Sequence, residues 1–71
     1  MSGSTLLPSL RALRTQAALT QLELAERAGV HRVQIAKIEA GQHGAHAKTI
    51  RKLARVLKVK PVALMEAQAH G

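Results

Sequence analysis

The segment LTQLELAERAGVHRVQIAKIEAG, Leu19 to Gly41, carries two short helical patterns on either side of a single glycine, Gly29. The first pattern has a complete helix start. Thr20 stands at the N-cap, Glu23 three residues later closes a capping box, and Leu19 with Leu24 forms a hydrophobic staple. Gly29 follows the last periodic residue, where a left-handed conformation stops a helix at little steric cost. The second pattern begins near Arg32 and ends before Gly41, with Val30 and Ile35 as its staple and Ile38 one turn further along the apolar stripe. His31 is its N-cap, a weaker choice than Ser or Thr.

Working outward, an earlier helix is expected from Leu7 or Pro8 to Ala17, with Leu10, Leu13 and Ala17 on one face and Pro8 in its first turn. After Gly41, QHGAHA reads as a loop. A fourth helix starts at about Ala47 and buries Ile50, Leu53, Ala54 and Leu57. Pro61 suits a first helical position and Val59 with Leu64 staples it, so VALMEAQ reads as a short fifth helix. Residues 1–5 read as a flexible N-terminal tail and residues 68–71 as a C-terminal tail around one domain, residues 6–67. No period-two run long enough for a strand pair and no repeat interrupts this order, so the fold class is all-α.

The chain has 71 residues, enough for one small core. That core must be Leu, Ile, Val and Ala, because the sequence contains no Phe, Trp or Tyr. The same lack removes the stacking platforms that unpaired bases require, which argues against single-stranded nucleic acid or RNA loops. Eleven Lys and Arg against four Asp and Glu give a formal charge of +7, so a polyanion is the expected partner. Without cysteine there is no disulfide and no thiolate metal site. No stretch has the length of a signal or membrane segment, so no membrane partner is expected, and a cytoplasmic, nucleoid-associated location is.

Two helices joined by a short glycine turn form a helix-turn-helix, whose second helix can enter a DNA major groove while the first crosses the backbone. The inward Val30, Ile35 and Ile38 leave Arg32, Val33, Ala36 and Lys37 outward. Arg and Lys suit the O6 and N7 acceptors of guanine, and small apolar side chains suit the thymine methyl.

With LRALR, LTQLELAERAGV, IAKIEAG and IRKLARVLKV in this order, the sequence resembles the Cro/cI phage-repressor type of helix-turn-helix, also called the XRE family, from about Leu10 to Leu64. The resemblance implies a compact five-helix, lambda-repressor-like domain with the helix-turn-helix at its second and third helices. It implies that Arg32, Val33, Ala36 and Lys37 read bases and that Gln34 contacts backbone. Gln21 would bond a phosphate and brace the third helix. The loop after Gly41 would follow the sugar-phosphate chain, with Gln42, His43, His46 and Lys48 as secondary contacts. It also points to Arg14 as the partner of Glu39, a structural pair joining the first helix to the third. The sequence departs from the family at several places: His31 and His46 replace the usual Ser, Thr or Pro, Ala18 and Lys58 stand where glycine is common, Lys60 replaces a capping Ser or Asp, and Leu22 replaces a polar residue.

His43 and His46 have a plausible metal-ligand spacing, but no Cys or nearby acid completes a set and the surrounding charge is positive, so neither metal nor cofactor is expected. No nucleophile–base pair, carboxylate pair or phosphate-cradling loop points to an enzyme. In the run Lys48, Arg51, Lys52, Arg55 and Lys58, the last two read as a solvated helix side; Lys48 and Lys52 lie near the DNA-facing loop. The resulting expectation is a sequence-specific binder of double-stranded DNA, a transcriptional repressor acting as a homodimer through Val62 and Met65 on a two-fold operator. Rival readings are an antitoxin with a toxin partner, a restriction-modification controller, and a coactivator-like protein-interaction module.

Overall fold

The computed structural model describes residues 3–67. Its helices are α1 (Leu10–Gln16), α2 (Gln21–Ala28), α3 (Arg32–Glu39), α4 (Ala47–Leu57) and α5 (Pro61–Met65). The first four close alike. In each, a residue with positive φ follows the last turn: Ala18 at 59°, Gly29 at 72°, Gly41 at 76° and Lys58 at 58°. The N–H of the next residue then donates back five positions, Leu19 to Arg14 O at 3.1 Å, Val30 to Ala25 O at 3.0 Å, Gln42 to Lys37 O at 3.0 Å and Val59 to Ala54 O at 3.1 Å. This Schellman closure satisfies carbonyls that a helix end would otherwise leave unpaired.

Three of these closures run straight into the next helix through the same three-residue corner: a left-handed residue, an aliphatic staple and an extended N-cap. The triplets are Ala18-Leu19-Thr20, Gly29-Val30-His31 and Lys58-Val59-Lys60. Only Thr20 caps with its side chain, and its capping box with Glu23 is complete, at 3.0 Å in one direction and 2.9 Å in the other. His31 and Lys60 make no side-chain cap, so these two corners rest on the staple and the backbone closure.

The core is aliphatic throughout. Leu7, Leu10, Leu24, Ile35, Leu53 and Leu64 are its most deeply buried large side chains, and Ile50, Leu53, Ala54 and Leu57 form the buried face of α4. α2 packs on α3 and α4, α4 on α5, and α1 bridges α3 and α5. No helix among the described residues is long and apolar enough to cross a membrane.

The expected boundaries shift at both ends. α1 starts at Leu10 rather than at Leu7 or Pro8, because the preceding residues form a turn, Leu10 N–H to Leu7 O at 3.1 Å, that drops Leu7 into the core. Ser9 then docks on the chain's far end: its N–H donates to Leu64 O at 3.2 Å and its hydroxyl donates to Glu66 O. Ala17, expected on the buried face, is the exposed C-cap of α1. α5 stops at Met65, with Glu66 extended at ψ 143°; the rest of the expected VALMEAQ helix ends at Gln68, outside the described residues.

The N-terminal stretch reaches the body at Thr5. It exchanges both backbone hydrogen bonds with Ala45, at 2.9 and 2.8 Å, as an isolated bridge. Gly44 permits the approach, since a Cβ there would lie 2.8 Å from the Thr5 backbone N, C and O atoms. Ala45 is thereby buried, and it occupies the staple position before His46, the N-cap of α4, with buried Ile50 five residues further on as its partner position.

Ala18 and Lys58 hold a left-handed conformation that costs a side-chain-bearing residue roughly 1–2 kcal/mol, whereas glycine gives up about 0.5–1 kcal/mol of unfolded-chain entropy there. Ala18→Gly and Lys58→Gly should each stabilise the fold by about 0.5 kcal/mol or slightly more, raising the melting temperature by a few degrees. Calorimetry that finds either variant melting below the parent would contradict the strain argument.

Candidate nucleic-acid interface

The site is organised around the Glu39 carboxylate at the end of α3. Arg14 of α1 reaches it with a fork, Nε to Oε2 at 2.6 Å and Nη2 to Oε1 at 3.0 Å, and Gln21 of α2 adds Nε2 to Oε1 at 3.0 Å. The remaining Arg14 nitrogen, Nη1, donates to Leu19 O at 2.8 Å, inside the corner before α2. One acidic side chain thus joins three helices and the turn between two of them. Its exposure is 4%, against 13% for Arg14.

Burial pushes the Glu39 carboxyl up, but the hydrogen bonds from Arg14 and Gln21 and the positive charges of Arg14 and Arg11 together outweigh it and hold the group below the ordinary carboxylate value. The Glu39 hydrogen bond likewise raises Arg14. Gln21 therefore serves as the brace that the resemblance implied, with one amide N–H used inside the protein.

On α3, successive side chains turn by about 100°, so Arg32, Ala36, Val33 and Lys37 fall within an arc of about 140°, opposite Ile35 and Ile38. The burial pattern agrees with this wheel. Ile35 and Ile38 are in the core and Arg32, Val33 and Lys37 are exposed; Ala36, within the arc, and Gln34, beyond its Lys37 edge, are half-buried. Val33 keeps 52% of its surface exposed.

Gln42 and His43, in the loop after α3, are exposed, as are His46 and Lys48 at the start of α4. The corner between α3 and α4 is longer than the others by three residues, Gln42 to Gly44, and is pinned at Ala45 by Thr5. Val62 and Met65 are 54% and 38% exposed on α5, away from the α2–α3 corner, and so do not join the α3 face. Leu22, exposed at 52% on α2, and Leu6, at 57%, are further apolar side chains in solvent. Sequence reasoning missed Arg11, which stands beside the Glu39 cluster; its only local signal was its place one turn before Arg14.

Arg14→Ala leaves a carboxylate at 4% exposure without its ion-pair partner and should destabilise the fold by about 3 kcal/mol at neutral pH. Because Glu39 is depressed in the folded chain, the pair's contribution is complete above the unfolded carboxylate value, about 4.3, and is lost as pH falls through the folded value. Urea titrations should therefore show the gap between parent and variant narrowing under acid conditions. A gap that is absent at pH 7 would mean the pair does not hold the helices.

A family model described as helix-turn-helix matches residues 10–64. No curated protein matches the chain. Among solved structures, the restriction-modification controller protein C.AhdI from Aeromonas hydrophila is 38% identical, with a TM-score of 0.74 over 78% of this chain and 83% of that one. The hypothetical transcription factor NHTF from Neisseria is 25% identical, with a TM-score of 0.78 over 83% of this chain and 66% of that one. SinR, a master regulator for biofilm formation solved in complex with DNA, is 28% identical, with a TM-score of 0.75 over 80% and 92%. The matched span runs from the first residue of α1 to the buried Leu64 of α5, and the neighbours share the packing of α2 on α3; the chain belongs to the Cro/cI-type, or XRE, helix-turn-helix family of DNA-binding transcription regulators.

Proposed function

We propose that the chain is a sequence-specific duplex-DNA binder that represses transcription as a homodimer on a two-fold operator. The observation that carries this reading is the outward arc of α3, where two cationic donors, Arg32 and Lys37, flank the small apolar Val33 and Ala36 on a helix braced from behind by Glu39. Such a surface matches the acceptors and methyl groups on a major-groove floor. Gln34, Gln42, His43, His46 and Lys48 take the flanking backbone, and the +7 charge supplies long-range attraction.

One recognition helix spans too few base pairs to select a site. A two-fold pair would place its two recognition helices about one helical turn of DNA apart, roughly 34 Å, in successive major grooves. Val62 and Met65 supply an apolar contact for this pairing, beside a groove of about 290 Å³ lined by Thr5, Ile50, Pro61 and Met65. A second reading is a controller of a restriction-modification operon, favoured by the 38% identity to C.AhdI. Both readings use the same DNA face and differ in the genes it governs.

Duplex affinity should fall steeply with salt. About four to six neutralised phosphates per dimer give a log-log slope of roughly −4 to −5, and a slope near zero would remove duplex DNA as the ligand. Selection of bound sites from random DNA supplies the operator. On that operator Arg32→Ala should cost about 1–3 kcal/mol, and the ratio of affinities for operator and scrambled duplex should shrink. An unchanged ratio would mean that Arg32 does not read sequence. Val62→Glu should shift the protein toward monomer in sedimentation and weaken operator binding with it; an unaltered assembly state would move the interface elsewhere.

A further inference from the structure

Arg11 and Arg14 lie one turn apart on α1 and line a shallow groove of about 240 Å³, closed on its other sides by Gln21, Ala36, Glu39 and Ala40. Arg14 is committed to the protein through all three of its nitrogens. Its charge is matched by Glu39. Arg11 is exposed and forms no ion pair among the described residues, so the groove keeps one uncompensated positive charge. That charge stands close enough to help hold the Glu39 carboxyl low.

Across from the arginines, Ala36 of α3 and Ala40, its C-cap, lie one turn apart on either side of Glu39. Their side chains stop at Cβ and leave room where longer ones would narrow the groove. Ala36 belongs to the same outward arc as Arg32 and Lys37, so the groove opens onto the face assigned to DNA. Unused donors line it. A guanidinium carries five N–H groups and a carboxamide two, so Arg14 retains two and Gln21 one beyond those bound to Glu39 and Leu19.

We propose that this groove seats one backbone phosphate of the bound duplex, and that Arg11 is the group that clamps it. The inference rests on the duplex-binding reading above. Arg11 suits the role because its planar fork matches two phosphate oxygens, and because nothing inside the protein holds it. Gln21 and the spare Arg14 N–H groups line the seat without supplying a free charge. The groove lies at the junction of α1 with α3, so a phosphate held there fixes how far the recognition helix can slide along the major groove. It does not read a base.

The test is a salt titration of Arg11→Gln and Arg11→Lys in the full chain, on operator and on scrambled duplex. Arg11→Gln should lose one phosphate contact per protomer, flattening the log-log slope by about 0.9 per protomer. At about 0.1 M salt its affinity should fall by roughly fivefold to tenfold, equally on both duplexes, and Arg11→Lys should recover part of the loss. The melting temperature should fall only slightly, because the Glu39 hydrogen bonds come from Arg14 and Gln21 and Arg11 acts on Glu39 by its charge alone. An unchanged slope overturns the proposal, as does a loss of affinity that tracks a loss of folding. Binding of millimolar inorganic phosphate that Arg11→Gln abolishes, with no competition against duplex, would reassign the seat to free phosphate and overturn the duplex assignment. If the parent itself binds no duplex, the functional reading fails; if the parent binds and only the Arg11 slope is unaltered, this inference alone fails.

Discussion

Everything on the DNA side of this molecule depends on one carboxylate taking three hydrogen bonds. Glu39 is the last residue of α3, and its partners come from α1 and α2. Aliphatic packing gives these helices their cohesion but little direction, since Leu, Ile, Val and Ala can slide past one another at small cost. The fork of Arg14 and the amide of Gln21 supply the direction. An apolar substitute could hold the helices together as firmly. It would not specify the angle at which Arg32, Val33 and Lys37 leave the body.

The backbone solves a related problem with one device used repeatedly. A left-handed residue, an aliphatic staple and an extended N-cap turn the chain between α1 and α2, α2 and α3, and α4 and α5. Much of this was legible in the sequence because it is local. Thr20 with Glu23, Leu19 with Leu24, Val30 with Ile35 and Val59 with Leu64 are all within five residues of each other, and the 3.6-residue period of α4 leaves little choice of buried face. Ala18 and Lys58 were harder to read, because their left-handed backbone is unusual for residues with a side chain and surfaced only as departures from the family pattern.

What escaped the sequence is non-local. Nothing near Pro8 announces that Leu7 will turn into the core ahead of α1 or that Ser9 will dock on Leu64 and Glu66 at the end of α5. Gly44 reads as an ordinary loop glycine until Thr5 is brought against it. In the candidate site the outward arc of α3 was legible from helical geometry alone. The partner of Glu39 came from the family resemblance, and Arg11 became visible only once Arg14 was seen to be occupied.

The pairing of Thr5 with Ala45 divides the molecule by the order in which its parts can form. The corners around α2 close over a handful of residues, so α1 to α3 can organise among themselves at little loop-closure cost. The bridge closes a circuit of some forty residues, and Ser9 with Glu66 closes one spanning 57. These distant closures come late in folding and are the first to open. The loop from Gln42 to His46 hangs on such a closure, so its amides should exchange with solvent sooner than those of the helix it follows. α3 acquires its orientation early, while the loop that we propose runs along the DNA backbone is held by one of the last contacts to form.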